Sequence, residues 1–431
     1  MTPNKPPEQS LRRIKLTYYL YVTLFWFAMI LPAAVQILLA QARGFDLFQI
    51  GAVLGVYSLV IVLLELPTGG LADAIGRKRV TLMALGFILA SEVALLVAFS
   101  FTALLAFAVL SGIGRALSSG ALEAWFIDSL QEVDPDAELQ PALAVAGTFE
   151  LFALGVGTLL SGIIPTFFWG LPEEGTAIFT PFSMTVVFSI AMFAVTFLVV
   201  ALLVKEDRSR LGDADINGFG TIPNLIREAA RLSRRNPTIL LLLGAASVGG
   251  FALSGVETFW QPYFANLLGG SEGNSVLFGF LLASSFGLGM VGNLISTPLS
   301  KVFKKRYGLV AALFQGIQGG VLLLLALQST AGLATVFFWL VYFSRGTMNS
   351  SHATLFNNEV PASRRSSMLS VQSLANYVGG GLGSIALGYV SDSFSISTAW
   401  MIAAGLLVLS LPLYLLVDAR RARAEVKEVR R

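Results

Sequence analysis

Apolar stretches of about 20 residues recur along the whole chain, and this repetition limits the possible folds more than any other feature. Each stretch has the length of a helix that crosses a lipid bilayer. Of the 431 residues, 55% are hydrophobic and only 13% are charged. A soluble domain of this size does not need so much apolar surface. We therefore predict an all-α membrane protein, because lipid offers no hydrogen-bond partner to the backbone of an irregular segment.

The apolar pattern predicts twelve transmembrane helices. Their ranges are 16–40, 49–71, 80–99, 103–130, 141–164, 179–204, 239–265, 275–299, 308–328, 333–357, 366–390 and 397–417. A polar stretch after the sixth span divides the chain into a six-helix bundle at 1–204, a linker at 205–238 and a second bundle at 239–431, which ends in a basic tail. The linker is interpreted either as an amphipathic helix on the membrane surface or as a solvated connection.

The basic residues fall almost entirely on one side of the predicted spans. Arg43 is the single Lys or Arg on the opposite side, and Arg115 and Arg345 lie within spans. The other 26 of the 29 basic residues share the side of both termini. Cytoplasmic loops are enriched in Lys and Arg, so both termini are predicted to be cytoplasmic. The basic charge balance therefore reflects membrane topology, and we expect no nucleic-acid partner.

The charged segment 69–79, after the second span, is interpreted as a tight turn between two helices. It follows the pattern G-x-x-x-D-R-x-G-R-K at Gly69, Asp73, Gly76, Arg77 and Lys78, with Ala74 in place of the first Arg. This segment resembles the loop after the second helix in the major facilitator superfamily. The two halves of the chain also resemble each other, since Arg345 lies in the tenth span much as Arg115 lies in the fourth.

The resemblance implies twelve helices in two pseudo-symmetric bundles and secondary transport by alternating access. It also implies that Asp128, at the end of the fourth span, meets Arg77 as a latch between spans. Glu65 is expected to serve as a hinge or gate. The stretch that runs from Arg115 to Gly120 resembles a motif of the drug/proton antiporter branch that is tied to proton coupling.

Carboxylates inside a membrane are costly and mark functional candidates. The predicted spans contain Glu65, Glu92, Glu123, Asp128, Glu150 and Glu257. Arg115 and Glu123 lie eight residues apart on one span, so they can share a cavity without bonding directly. Glu92, Glu150 or an anionic substrate is the candidate partner of Arg115. Glu123 and Glu150 are interpreted as proton carriers or, alternatively, as protonated structural residues.

Other polar and aromatic side chains leave two interpretations open. Trp26 and Gln36 line either a cavity or the lipid-facing surface, whereas Tyr18 and Tyr19 are interpreted as anchors at the membrane interface. Glu257 is either an outer contact for substrate or part of an aromatic belt. His352 is either a titrating group or a hydrogen-bonded interior residue.

The composition excludes several chemistries. The chain has no cysteine and one histidine, which excludes thiol chemistry and a histidine metal cluster. No phosphate-binding loop or nucleophile–base constellation is visible, so we expect no cofactor, no metal and no enzyme activity.

The leading hypothesis is a monomeric, proton-coupled exporter of small, partly lipophilic molecules in a bacterial inner membrane. One alternative is an uptake carrier for a polar or anionic nutrient, with Arg115 as the substrate anchor. The other alternative is a transport-silent receptor or assembly factor.

Overall fold

The computed structural model describes residues 7–172, 177–206, 227, 231, 236–271, 273–361 and 364–429. This part of the chain is helical and contains no strand. The helices of the first half are α1 (Pro7–Ile30), α2 (Gln36–Ala42), α3 (Leu47–Ile75), α4 (Arg77–Leu96), α5 (Phe101–Ser118), α6 (Ala121–Val133), α7 (Leu139–Ile163) and α8 (Ser183–Leu203). Those of the second half are α9 (Pro237–Leu268), α10 (Ser275–Val302), α11 (Tyr307–Ala326), α12 (Ala331–Glu359), α13 (Arg365–Ser393), α14 (Ile396–Leu409) and α15 (Leu411–Val429).

Each predicted span coincides with one helix or with two consecutive helices, and the all-α prediction is confirmed. Within the described residues, nine helical stretches are long and apolar enough to cross a membrane. The helices at the other three predicted spans, 16–40, 333–357 and 366–390, are interrupted or carry more polar residues.

The first predicted span is interrupted at residues 31–35 instead of continuing to residue 40. Pro32 has no N–H group and so deprives the Ala28 carbonyl of its helical partner. The Ser189 hydroxyl of α8 donates a hydrogen bond of 2.9 Å to that carbonyl. The free N–H of Ala34 donates to Ser161 Oγ of α7 at 3.0 Å. Neighbouring helices therefore satisfy the backbone groups that the break releases.

The chain divides into two compact units. The first unit contains residues 1–43, 60–222 and 275–280, and the second contains 44–59, 223–274 and 281–431. The predicted boundaries at residues 204 and 239 stay a prediction. Most of the predicted linker lies outside the described residues. Within 207–235 the structure describes only Arg227 and Arg231, which are helical and exposed.

Arg43 holds the end of α4. Its guanidinium donates to the carbonyl of Leu96 at 2.7 Å and to that of Ala98 at 3.4 Å, and it lies 4.7 Å from the centre of the Phe99 ring. Burial lowers the pKa of Arg43 to about 10, so the side chain stays charged at neutral pH. The one basic residue on the sparsely charged side of the predicted topology therefore has a structural role as a helix cap.

Close approach of α12 to α10 leads to a stability prediction. A Cβ atom at Gly346 would lie 1.9 Å from the carbonyl oxygen of Gly289, so Gly346→Ala must push the two backbones apart. We expect it to lower the free energy of unfolding by about 1–3 kcal/mol, measured by thermal unfolding in detergent. Gly287→Ala in α10 is the control, because a Cβ there has no neighbour within 4 Å. Equal melting temperatures for the two variants would contradict the packing.

Candidate functional site

A cavity of about 360 Å³ lies within the first unit, between α1, α5, α6 and α7. Its lining combines three charged side chains with an aromatic wall, a size and composition typical of small-molecule sites. The charged residues are Arg115, Glu123 and Glu150, and the aromatic residues are Tyr18, Tyr21, Phe25 and Trp26. The remaining lining residues are Val22, Ser118, Ser119, Gly120, Leu122, Leu143, Ala146 and Gly147.

A break in the fourth predicted span shapes one side of this cavity. The span 103–130 is not continuous: α5 ends at Ser118 and α6 begins at Ala121. Gly120 has φ +72°, a left-handed conformation that side-chain-bearing residues rarely adopt. The break places Glu123 in the first turn of α6, where the helix dipole favours a negative charge.

The three charged side chains lie near each other without pairing. Glu123 is exposed to the cavity, and Arg115 and Glu150 are half-buried. Glu150 interacts electrostatically with both Glu123 and Arg115. In the part of the chain that the structure describes, none of the three forms an ion pair within 4 Å. The structure thus places Arg115 and Glu123 on the lining of one cavity without an ion pair between them.

The aromatic wall comes from one face of α1. Tyr18 stacks on Phe126 of α6 with ring centres 4.1 Å apart, and Phe25 meets Trp26 edge to face at 5.6 Å. Tyr18 is 6% exposed, so its interpretation as an interface anchor is wrong. The packing of α1 against α6 turns this face inward. Of the two interpretations of Trp26, the structure supports cavity lining.

Two of the predicted cavity residues lie elsewhere. Glu92 is only 7% exposed and does not line the cavity, because the face of α4 that carries it packs against neighbouring helices. It is therefore not placed as a partner of Arg115. Gln36 opens α2, beyond the break at Pro32, and is also absent from the lining.

The second unit contains its own polar cluster. Glu257 of α9 interacts electrostatically with Arg345 of α12, which is half-buried. The Nδ1 atom of His352 lies 2.7 Å from the hydroxyl of Tyr414, and both residues are buried. This hydrogen bond supports the interior interpretation of His352. Whether Glu257 and Arg345 contact substrate stays a prediction.

The charged segment 69–79 is mostly helical, which corrects its interpretation as a turn. Residues 69–75 continue α3, and the reversal takes place at Gly76, directly before α4. For Asp73, Gly69 and Gly70, only the helical backbone belongs to the described part. Glu65 is half-buried in α3, and its role as a gate stays a prediction.

Hydrogen bonds connect the start of α4 with the end of α8 at this point. Arg77 forms the expected ion pair with Asp128, although the role of this pair as a latch stays a prediction. The Glu206 carboxylate accepts hydrogen bonds from the backbone N–H groups of Arg77 at 2.7 Å and Lys78 at 3.2 Å. The Lys78 ammonium donates to the carbonyl oxygens of Ala201 and Val204, both at 2.7 Å. The negative Glu206 thus caps the positive end of the α4 dipole, and the positive Lys78 caps the negative end of the α8 dipole.

Comparison with known proteins identifies the family. A sequence profile of the Major Facilitator Superfamily matches residues 18–358. The chain belongs to this superfamily. An uncharacterized MFS-type transporter of Bacillus subtilis (strain 168), YxaM, is 23% identical over 411 residues, which cover 93% of this chain and 95% of that protein. The chain is accordingly a membrane transporter and not an enzyme.

Solved structures of superfamily transporters share the fold. A crystal structure of the nucleoside transporter NupG has a TM-score of 0.73 at 15% identity and covers 95% of this chain and 98% of that one. A peptide transporter POT in complex with sulfate has a TM-score of 0.71 at 13% identity and covers 97% and 99%. At such low identity the likeness shows the fold alone, and together with the family match it confirms the predicted all-α fold of this superfamily.

Sequence reasoning missed two contributors. Tyr21 lines the cavity but was not distinguished from its aromatic neighbours, because the rotation of α1 depends on packing and leaves no local signal. The sequence places Glu206 only near the start of the predicted linker, shortly after an apolar span. An acidic residue just after one helix can cap the start of another helix that is distant in sequence. This role can be recognised only when the ends of the two helices are known to lie together.

Proposed function

We propose that this transporter exports small, partly lipophilic molecules in exchange for protons, by alternating access. The observation that carries the proposal is the cavity of the first unit, where Arg115, Glu123 and Glu150 lie beside an aromatic wall. Aromatic faces favour substrates with apolar, planar surface. The carboxylates supply groups that can bind a proton or a polar group of the substrate.

Proton and substrate compete for the same carboxylates, and this competition couples the export of substrate to the entry of protons. A proton bound at Glu123 or Glu150 removes a negative charge from the cavity and weakens its attraction for a polar or cationic substrate. A substrate bound there favours release of the proton. If each state opens to one side in turn, proton entry is tied to substrate exit. Arg115 offsets the charge of one carboxylate, so the cavity needs to hold only one proton to be neutral.

A second candidate function rests on Arg115. Its guanidinium lines the cavity without an ion pair among the described residues, and a bound anion would supply that missing partner. This arrangement suits an uptake carrier for an anionic nutrient. The similar folds include a nucleoside transporter and a peptide transporter, so fold likeness does not favour either substrate class.

Reconstituted flux distinguishes these functions. In proteoliposomes with an imposed pH gradient, we expect a lipophilic substrate to move in the direction opposite to the downhill flow of protons. A protonophore should stop accumulation of the substrate. An anion carrier would instead show flux of a labelled organic anion that lipophilic molecules do not compete with. Absence of flux for every class, together with a stable protein partner on purification, would support the transport-silent alternative and contradict the proposal.

We also propose that both termini are cytoplasmic, in a bacterial inner membrane, as the distribution of Lys and Arg indicates. The absence of cysteine makes the test direct. In intact cells, a membrane-impermeant maleimide should label Gly170→Cys and should leave Ala422→Cys unlabelled until the cells are opened. Both positions are exposed. The reverse labelling pattern would overturn the orientation.

A further inference from the structure

A second cavity of the first unit lies at the junction of α3, α4 and α8, away from the candidate transport site. It is a groove of about 500 Å³. Three cations line it, Lys78, Arg79 and Lys205, together with the apolar side chains of Ile75, Leu82 and Leu202. This combination of positive charge and hydrocarbon needs an explanation, because neither the helix caps nor the transport cavity uses the whole of it.

Two of the three cations have no side-chain hydrogen bond or ion pair within the part of the chain that the structure describes. Glu206, also in the groove, is bound to the first N–H groups of α4, and Lys78 is bound to the last carbonyls of α8. Arg79 and Lys205 are exposed, and no described residue forms a hydrogen bond or ion pair with their charged groups. Among the described residues, the charged groups of Arg79 and Lys205 therefore remain available to an anion in the groove.

The apolar side of the groove continues into the lipid-facing surface of the protein. Leu202 is 72% exposed, and it belongs to α8, a helix of 21 residues without a charged side chain. The groove thus lies where an apolar helix surface ends and charge begins, which is the level of lipid headgroups. A soluble anion would contact only the cationic side of the groove, whereas an anionic lipid would contact the cations with its headgroup and the apolar side chains with an acyl chain.

We propose that this groove binds an anionic phospholipid. Its headgroup phosphate lies between Arg79 and Lys205, and an acyl chain follows Leu82 and Leu202. A lipid held there bridges the start of α4 and the end of α8, next to the Arg77–Asp128 ion pair. Anionic lipid would consequently stabilise this end of the first unit in any membrane that contains it.

Lipid retention tests the site. We would load the purified protein with phosphatidylglycerol or with phosphatidylcholine of the same acyl chains, and count retained molecules by native mass spectrometry. Phosphatidylglycerol should be retained preferentially and should raise the melting temperature. Each lost cation should weaken binding about fivefold, so Arg79→Gln with Lys205→Gln should nearly abolish the preference. The double variant Arg420→Gln with Arg423→Gln removes the same charge from exposed positions of α15 and should keep the preference.

A variant with unchanged charge tests the acyl contact separately. Leu202→Trp fills the apolar side at an exposed position, so it should reduce retention of phosphatidylglycerol without loss of a cation. Equal retention of the two lipids, or equal losses in the two charge variants, would overturn the proposal. A melting-temperature increase of the same size with glycerol 3-phosphate, which has no acyl chain, would assign the groove to a soluble anion and would also overturn it.

Discussion

Glu123→Gln combined with Glu150→Gln is expected to reduce proton-coupled flux to the level of liposomes without protein. The two carboxylates line one cavity and interact electrostatically, so a proton lost from one site can be held at the other. The double variant removes both acceptors and should uncouple transport more fully than either single variant. Glutamine keeps the size and hydrogen-bonding capacity of the side chain, so the fold should persist. Flux under an imposed pH gradient, with and without a protonophore, measures the effect.

Glu92→Gln is the matched control for the carboxylate variants. Glu92 is also a glutamate on a transmembrane helix, but it is buried away from the cavity. Its replacement should leave the dependence of flux on the pH gradient unchanged. If the double variant still concentrated substrate against a proton gradient, or if Glu92→Gln uncoupled transport instead, the assignment of the proton site to this cavity would be wrong.

Gly120→Val is expected to abolish transport and to destabilise the protein. Gly120 has φ +72° at the break between α5 and α6, and a β-branched residue is strained there by about 1–3 kcal/mol. The chain can relieve the strain by closing the break into a continuous helix. That change would turn Glu123 away from its place in the first turn of α6. Transport in proteoliposomes and thermal unfolding of the same preparation measure the two effects.

Gly120→Asn separates conformation from side-chain volume. Asparagine tolerates the left-handed conformation far better than valine does, and a Cβ at Gly120 has no neighbour within 4 Å. The asparagine variant should therefore keep most of the transport activity. Equal loss in both variants would show that the position needs the absence of a side chain and not the left-handed backbone.

The fold was predictable from the sequence because the bilayer imposes one physical rule on every span. The length of the apolar runs and the cost of unpaired backbone groups in lipid predict helical structure over each run. The breaks were not predictable on the same ground. Pro32 interrupts a span, whereas Pro262 lies inside the continuous helix α9. At the break, Ser189 and Ser161 of neighbouring helices satisfy the released backbone groups, and such contacts between helices leave no local signal in the sequence.

The candidate site was partly predictable because a charge in lipid stands out against an apolar background. Arg115, Glu123 and Glu150 were visible for that reason, and the structure brings them to one cavity. Glu92 was visible for the same reason but lies outside the cavity. Charge alone does not tell which face of a helix turns inward, since packing with other helices determines that rotation. The interface prediction for Tyr18 is wrong for the same reason.

Substrate-induced proton release measures whether substrate and proton compete for the one cavity. Purified protein in lightly buffered detergent would receive lipophilic cations, neutral drugs, sugars and organic anions in turn, with pH recorded after each addition. We expect acidification when a lipophilic substrate is added to the unaltered protein, and none with the double variant Glu123→Gln and Glu150→Gln. Binding of such a substrate by thermal shift without any pH change in the unaltered protein would contradict this competition.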